Sequence, residues 1–315
     1  FFNPHRQLSA NEHCQFLNIW TPSIARDKKR PVMLWLHGGA FTDGSSIEPL
    51  YHGRNLSEKG DLVFVSLNHR LGAGGFLDLS TFGAPYRNSA NSGLADLVAA
   101  LEWIKTNIET FGGDPDNVTI LGQSGGGAKV LTLMATPAAK GLFHKAIVQS
   151  GAAPNLGMTL TDQEISRKVG QLTAEILGLA DKDIHKIQEL PYDVVAKAAN
   201  EARKQLFDAT GIRHVWGPVL NDYIPVHPVG SEFAEQSKDI PLLIGSVLNE
   251  FTTIVRHEAV ELMMDNKKTW DEAKVVSKLK EKHGPKAEAV LHAFLKAYPG
   301  KIAADAYFAD ISFRR

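Results

Sequence analysis

Residues 118–134 read VTILGQSGGGAKVLTLM: an apolar, β-branched run, a serine set among four glycines, and a second apolar run. A chain that passes from strand to helix within one residue crowds its own backbone, and glycines two before and two after the serine relieve that crowding. Gly122-Gln123-Ser124-Gly125-Gly126 has the form G-x-S-x-G at this junction. A serine there sits in strained backbone geometry, with its hydroxyl lifted above the sheet edge. The neighbouring helix N-terminus offers unpaired N–H groups to a developing oxyanion. Ser124 is therefore the candidate nucleophile.

The rest of the chain supplies the fold that such a turn requires. CQFLNIW (14–20), VMLWLH (32–37), LVFVSLN (62–68), VTILG (118–122), KAIVQS (145–150) and PLLIGS (241–246) read as strands. Several are apolar on consecutive residues, as in strands covered on both faces. Between them, residues 92–111 place Leu94, Leu97, Val98, Leu101, Ile104 and Ile108 on one helical face, ended by Gly112-Gly113 with Pro115 beyond. Alternating strands and helices predict an α/β fold with a mainly parallel sheet. The stretches DQEISRKVGQLTAEILGL and PYDVVAKAANEARKQLF then follow one another as helices without strands. The expectation is one domain over residues 1–315. Its core covers about 11–160 and 208–256, with a helical insertion at about 161–207 and a helical segment at about 257–315.

A second stretch carries chemistry. Ester hydrolysis by a serine passes through a tetrahedral oxyanion, which needs backbone donors already aimed at it. WLHGGAF (35–41), directly after a predicted strand, offers a Gly-Gly-Ala run with little side-chain obstruction. With the N–H of Gly125 it makes a three-donor hole.

Taken together with NEHCQFLNIWTP (11–22), VSLNHRLGAGGFL (65–77), the whole of 91–127, GLFHKAIVQSG (141–151) and GSVLNEF (245–251), these stretches resemble the type-B carboxylesterase (cholinesterase-like) family of α/β hydrolases. They run in family order and point to a bacterial member. The resemblance implies an α/β-hydrolase fold, with Ser124 as nucleophile and Gly39, Ala40 and Gly125 as oxyanion donors. Gly38 shapes the turn. Glu250 matches the triad acid, and Arg70 with Asp96 matches a buried ion pair that is structural rather than catalytic.

Three departures stand out. Gln123 replaces the usual Glu before the nucleophile, which weakens attraction for cationic esters. Gly125 replaces the usual Ala, keeping the N–H on a looser backbone. Cys14 stands in NEHC and is the only cysteine, so no internal disulfide forms.

The proton acceptor is the gap. Serine needs a general base near neutral pH, normally histidine. His37, His69 and His144 match scaffold positions, and His214 and His227 precede the acid. His257, His283 and His292 follow Glu250, but none follows a late strand. The expectation is that the chain is incomplete at both ends relative to the family, with the catalytic His on a missing segment or companion chain.

Composition limits the alternatives. With 34 basic and 35 acidic residues the net charge is −1, which suits neither nucleic acid nor an anionic membrane surface. No apolar run reaches the roughly 18–20 residues of a membrane span, and no signal peptide is readable at the first residues. A soluble protein is expected, either cytoplasmic or secreted/periplasmic, the sequence not deciding between them. The expected function is hydrolysis of small carboxylic esters through an acyl-enzyme, with no cofactor or metal. The other reading is an inactive, esterase-like binding or adhesion protein, against which the retained Ser124, Glu250 and oxyanion loop weigh.

Overall fold

The structure, a computed structural model, describes residues 11–152, 160–230, 233–247, 250 and 270–312. These residues fall into two compact units, one up to Gly245 and one from Ser246 onward.

In the first unit, β1 (Leu17–Trp20), β2 (Arg30–Leu36), β3 (Val63–Leu67), β4 (Gly113–Gln123), β5 (Lys145–Gln149) and β6 (Leu242–Gly245) form one sheet. The order is β1-β3-β2-β4-β5-β6, with β1 antiparallel to β3 and the other pairings parallel. Each apolar run read as a strand is one. β3 is buried along its whole length, as a strand covered on both faces must be. Leu36 pairs with Gly122, so β2 and β4 end side by side and the loops that follow leave the sheet together.

Helices α1 (Arg54–Gly60), α2 (Gly72–Phe76), α3 (Ser92–Asn107) and α4 (Gly125–Met134) lie between strands in the chain. The apolar face expected of α3 is buried from Leu94 to Ile104; Ile108 is buried in the 3-10 turn that ends the helix, and Gly112 turns the chain at φ +77°. Helices α5 (Gln163–Ile176) and α6 (Tyr192–Thr210) fill the strandless stretch. Asp162 caps α5 through the Ile165 N–H at 3.0 Å, and Gly211 ends α6 at φ +71°. Val169, Ala174, Ala199 and Ala202 bury themselves in the same core as β2, β3 and β4.

The second unit holds α7 (Glu272–His283), α8 (Ala287–Ala297) and α9 (Ala303–Ser312) around Trp270, Val275, Leu279, Leu291 and Tyr307. Residues 257–269 of the expected helical segment lie outside the described residues.

Arg70 and Asp96 form a forked pair: Nη2 to Oδ1 is 2.6 Å and Nε to Oδ2 is 2.9 Å. Asp96 is buried, and also accepts from the Arg70 N–H at 2.9 Å and from Gln15 at 2.6 Å. The Arg70 side chain keeps 40% of its surface exposed, so only the carboxylate half of the pair is sequestered. Four donors on one buried carboxylate join α3 to the ends of β1 and β3.

The core also encloses His37, His69 and Lys129. The two imidazoles stack at 5.1 Å with an angle of 18° between planes. His37 Nδ1 lies 2.8 Å from the Gly38 carbonyl and His69 Nδ1 lies 2.9 Å from the Arg70 carbonyl. A carbonyl only accepts, so each Nδ1 carries the proton. Burial first, and the Lys129 charge second, push His37 down to about 3 and hold His69 well below its usual range. Burial alone lowers Lys129 to about 7.

Two predictions follow from these buried groups. Asp96→Ala strips four donors of their acceptor and should lower the unfolding free energy in urea by about 2–4 kcal/mol, with Arg70→Met costing less. The histidines are neutral when folded but take up protons when unfolded below about pH 6.5. Stability is therefore fully present above that pH and is lost as pH falls toward about 3. Between pH 7 and 5 His37 alone should remove about 2 kcal/mol, with His69 adding in the same direction. A flat urea-unfolding free energy across that range would show that the pair is not buried neutral.

Candidate active site

Ser124 sits between β4 and α4 at φ +56°, ψ −123°. A non-glycine residue at such positive φ is strained and needs its surroundings to hold it. Two main-chain bonds do so: the Ser124 N–H donates to the Gln149 carbonyl at 2.8 Å, and its carbonyl accepts from Ala128 at 3.0 Å. Ser124 is thus the cap of α4, the helix-end position that the G-x-S-x-G spacing predicts.

The glycines around it have separate steric reasons. A β-carbon on Gly122 would lie 2.4 Å from the carbonyl carbon of Gly126, because the elbow folds the two against each other. One on Gly126 would lie 2.0 Å from the Leu36 carbonyl oxygen, and one on Gly151 2.4 Å from that of Ser124. Gly125 differs from the expected looseness: its β-carbon would lie 2.4 Å from both Cα and N of Ala40. Glycine is needed there because the oxyanion loop passes directly over it.

That loop follows β2. Gly39 (φ +91°) and Ala40 (φ +52°) turn the main chain, while Gly38 keeps an ordinary φ and packs against Gln123. The Gly39 carbonyl accepts from Thr42 at 3.3 Å and Asp43 at 2.9 Å, closing the turn. Among the described residues nothing accepts from the N–H groups of Gly39, Ala40 or Gly125. The structure therefore brings together four of the site residues read from sequence: Ser124, Gly39, Ala40 and Gly125. Three unspent donors beside a strained serine can stabilise a tetrahedral oxyanion.

Glu250 stands in a turn of the second unit, where its Oε1 accepts from the Val247 N–H at 2.9 Å. Its neighbours 248–249 and 251 lie outside the described residues, as does His257. Among the described histidines none hydrogen-bonds to Ser124. His144 Nδ1 accepts from the Val118 N–H at 3.1 Å, and His227 Nδ1 from that of Val229 at 3.1 Å. His214 packs edge-on against Trp216 at 4.8 Å. His283 pairs with Asp310 at 2.8 Å within the second unit, and His292 is exposed. Cys14 is free, with its thiol raised by burial first and by the Asp96 charge second. Among the described residues no group of His, Cys, Asp and Glu could hold a metal, and no helix is long and apolar enough to cross a membrane.

One residue of the site was not read from sequence. Lys129, five positions past the nucleophile, is fully buried and its Nζ donates to the His37 carbonyl at 2.9 Å. The available signal was a lone charge inside the apolar stretch AKVLTLM, where a buried lysine needs a specific partner.

Comparison with known proteins agrees with this geometry. The Carboxylesterase family model matches residues 2–308. The para-nitrobenzyl esterase of Bacillus subtilis is 39% identical over 242 residues, covering 76% of this chain and 47% of that protein. Cholinesterase 1 of Branchiostoma lanceolatum is 34% identical over 253 residues, covering 76% of this chain and 68% of its own length. A solved structure of an esterase from Clostridium hathewayi, described as able to hydrolyse aliphatic aromatic polyesters, superposes with a TM-score of 0.85 at 42% identity. That match covers 99% of this chain and 60% of the other. The chain thus spans about half the length of the Bacillus protein, and its mainly parallel sheet flanked by helices is an α/β-hydrolase fold. With the family match running almost end to end, the chain belongs to the carboxylesterase family.

Proposed function

We propose that this chain supplies the nucleophile and oxyanion hole of a serine carboxylesterase. The observation that carries this reading is the strained Ser124 beside three N–H groups, of Gly39, Ala40 and Gly125, that lack acceptors among the described residues. Ser124 Oγ attacks the ester carbonyl carbon, its proton passing to a base as the carbonyl π electrons move onto oxygen. The oxyanion draws on the three N–H groups. Collapse of the tetrahedral intermediate breaks the bond to the alkoxy oxygen, which leaves as an alcohol with the proton returned by the base. Water then attacks the acyl-enzyme by the same route and releases the acid.

In this reading Glu250 orients and stabilises the protonated base without taking the proton itself. The base in this reading is a histidine; among the described residues no imidazole hydrogen-bonds to Ser124. Gln123 leaves the site without a carboxylate next to the nucleophile, which favours neutral esters over cationic ones. Short-chain or aromatic esters are the proposed substrates, and the polyester activity described for the Clostridium hathewayi relative is in keeping with the aromatic class.

A fluorophosphonate probe on the full-length polypeptide tests this. Labelling should appear in the wild type, vanish in Ser124→Ala, and be blocked by prior incubation with a short-chain aromatic ester. Absence of labelling in the wild type would instead assign the protein to the inactive, binding-only relatives.

A further inference from the structure

Lys129 is a buried amine for which no carboxylate lies within ion-pair distance among the described residues. Desolvating an ammonium without a counter-charge is expensive, so such a group persists where a specific contact requires it. Among the described residues its one hydrogen bond goes to a main-chain carbonyl, that of His37, at 2.9 Å. His37 is the last residue before the Gly38–Ala40 run, so the bond grips the base of the oxyanion loop. The ammonium also lies 5.9 Å from the centre of the Phe41 ring, at the far end of the same loop.

The grip is one of three along α4. Gly125 abuts Ala40, Gly126 abuts the Leu36 carbonyl, and Lys129, one turn further on, holds the His37 carbonyl. The first two contacts only set how closely the loop approaches. Neither pulls it in. The loop also carries one strained residue, Ala40 at φ +52°, after Gly39 at φ +91°, and among the described residues the N–H groups of both are unspent. Left to itself, such a segment gains by turning those N–H groups toward other acceptors. An attractive contact from the nucleophile's own helix opposes that. The imidazoles packed beside it, His37 and His69, are both neutral and so do not compete as charges for the ammonium.

We propose that Lys129 is a positioning residue for ester hydrolysis, tying the oxyanion loop to the nucleophile helix through the His37 carbonyl so that the Gly39, Ala40 and Gly125 donors converge. This rests on the esterase reading above. Lys129 touches no reacting atom; it acts through the main chain of residues 37–40.

The test compares wild type, Lys129→Met and Lys129→Gln in the full-length polypeptide, with Ser124→Ala as control. Methionine keeps the length and loses both donor and charge; glutamine keeps an N–H on a neutral, shorter arm. Amide hydrogen exchange over residues 36–42 should speed up by about tenfold in Lys129→Met, with β4 unchanged. On a para-nitrophenyl ester kcat should fall about 10–100-fold while KM stays within about threefold, since misplaced donors act on the transition state. Affinity for a trifluoromethyl ketone, which forms an oxyanion on Ser124, should fall by the same factor as kcat/KM, and Lys129→Gln should lie between wild type and Lys129→Met. Unchanged exchange, or faster exchange with unchanged kcat, would overturn the role of Lys129. Wild-type hydrolysis no greater than that of Ser124→Ala would overturn the esterase reading instead, and the exchange result would still report on the loop.

Discussion

The site depends on a contact between two pieces of main chain. The first turn of α4 lies against the loop that follows β2 so closely that Gly125 and Gly126 have no room for a β-carbon. This approach follows from the sheet, because Leu36 and Gly122 are paired across parallel neighbours and both strands end at the same level. From there one chain turns into the oxyanion loop and the other into the elbow. How closely Ser124 can approach the Gly39, Ala40 and Gly125 N–H groups is thus limited by backbone packed on backbone. Donors held in this way need no rearrangement when the oxyanion forms.

Such a site is costly at rest. Ser124, Ala40 and Ser150 all hold positive φ without being glycine, and three N–H groups lack acceptors among the described residues. Strain of this kind persists only where the surroundings over-determine the conformation. The surroundings here are the core under the sheet ends, where Phe41 meets Phe76 edge to face at 5.2 Å and α4 is buried along its whole length. Into that core the chain also places His37, His69 and Lys129. The Nε2 atoms of both histidines have no hydrogen-bond partner among the described residues. A region serving stability alone would be apolar at these positions. The polar atoms lie directly behind the oxyanion loop, where shape matters more than the last few kcal/mol.

Much of this was legible in the sequence for identifiable reasons. Strands such as LVFVSLN announce themselves because burial on both faces demands consecutive apolar residues, and α3 does so because one face alone is buried. The elbow was legible because a steric constraint on Gly122 and Gly126 leaves no other residue possible. What escaped was set by contacts between distant segments. The tightness at Gly125 comes from Ala40, 85 positions earlier in the chain, and no local pattern reports it. Lys129 falls on a helix whose every residue is buried, so its charge carries no facing signal, and its acceptor at His37 lies 92 positions away. The half-exposed state of Arg70 was equally invisible, since the pairing with Asp96 says nothing about how much of the guanidinium is covered.

The division of labour between these residues and the proton acceptor has a physical consequence. The hole is built from residues 36–40 and 122–126 and is held by the sheet register, the elbow and α4. None of those supports involves Glu250 or an imidazole that reaches Ser124. In the proposed reaction, oxyanion stabilisation and proton transfer therefore rest on different groups. In serine hydrolases generally, loss of a triad member leaves a residual rate enhancement from the hole and from binding. The Gly39, Ala40 and Gly125 N–H groups belong to the first compact unit and Glu250 to the second. The Ser124 turn and the Gly39, Ala40 and Gly125 N–H groups are thus held, among the described residues, by the first unit's own sheet register and helix packing.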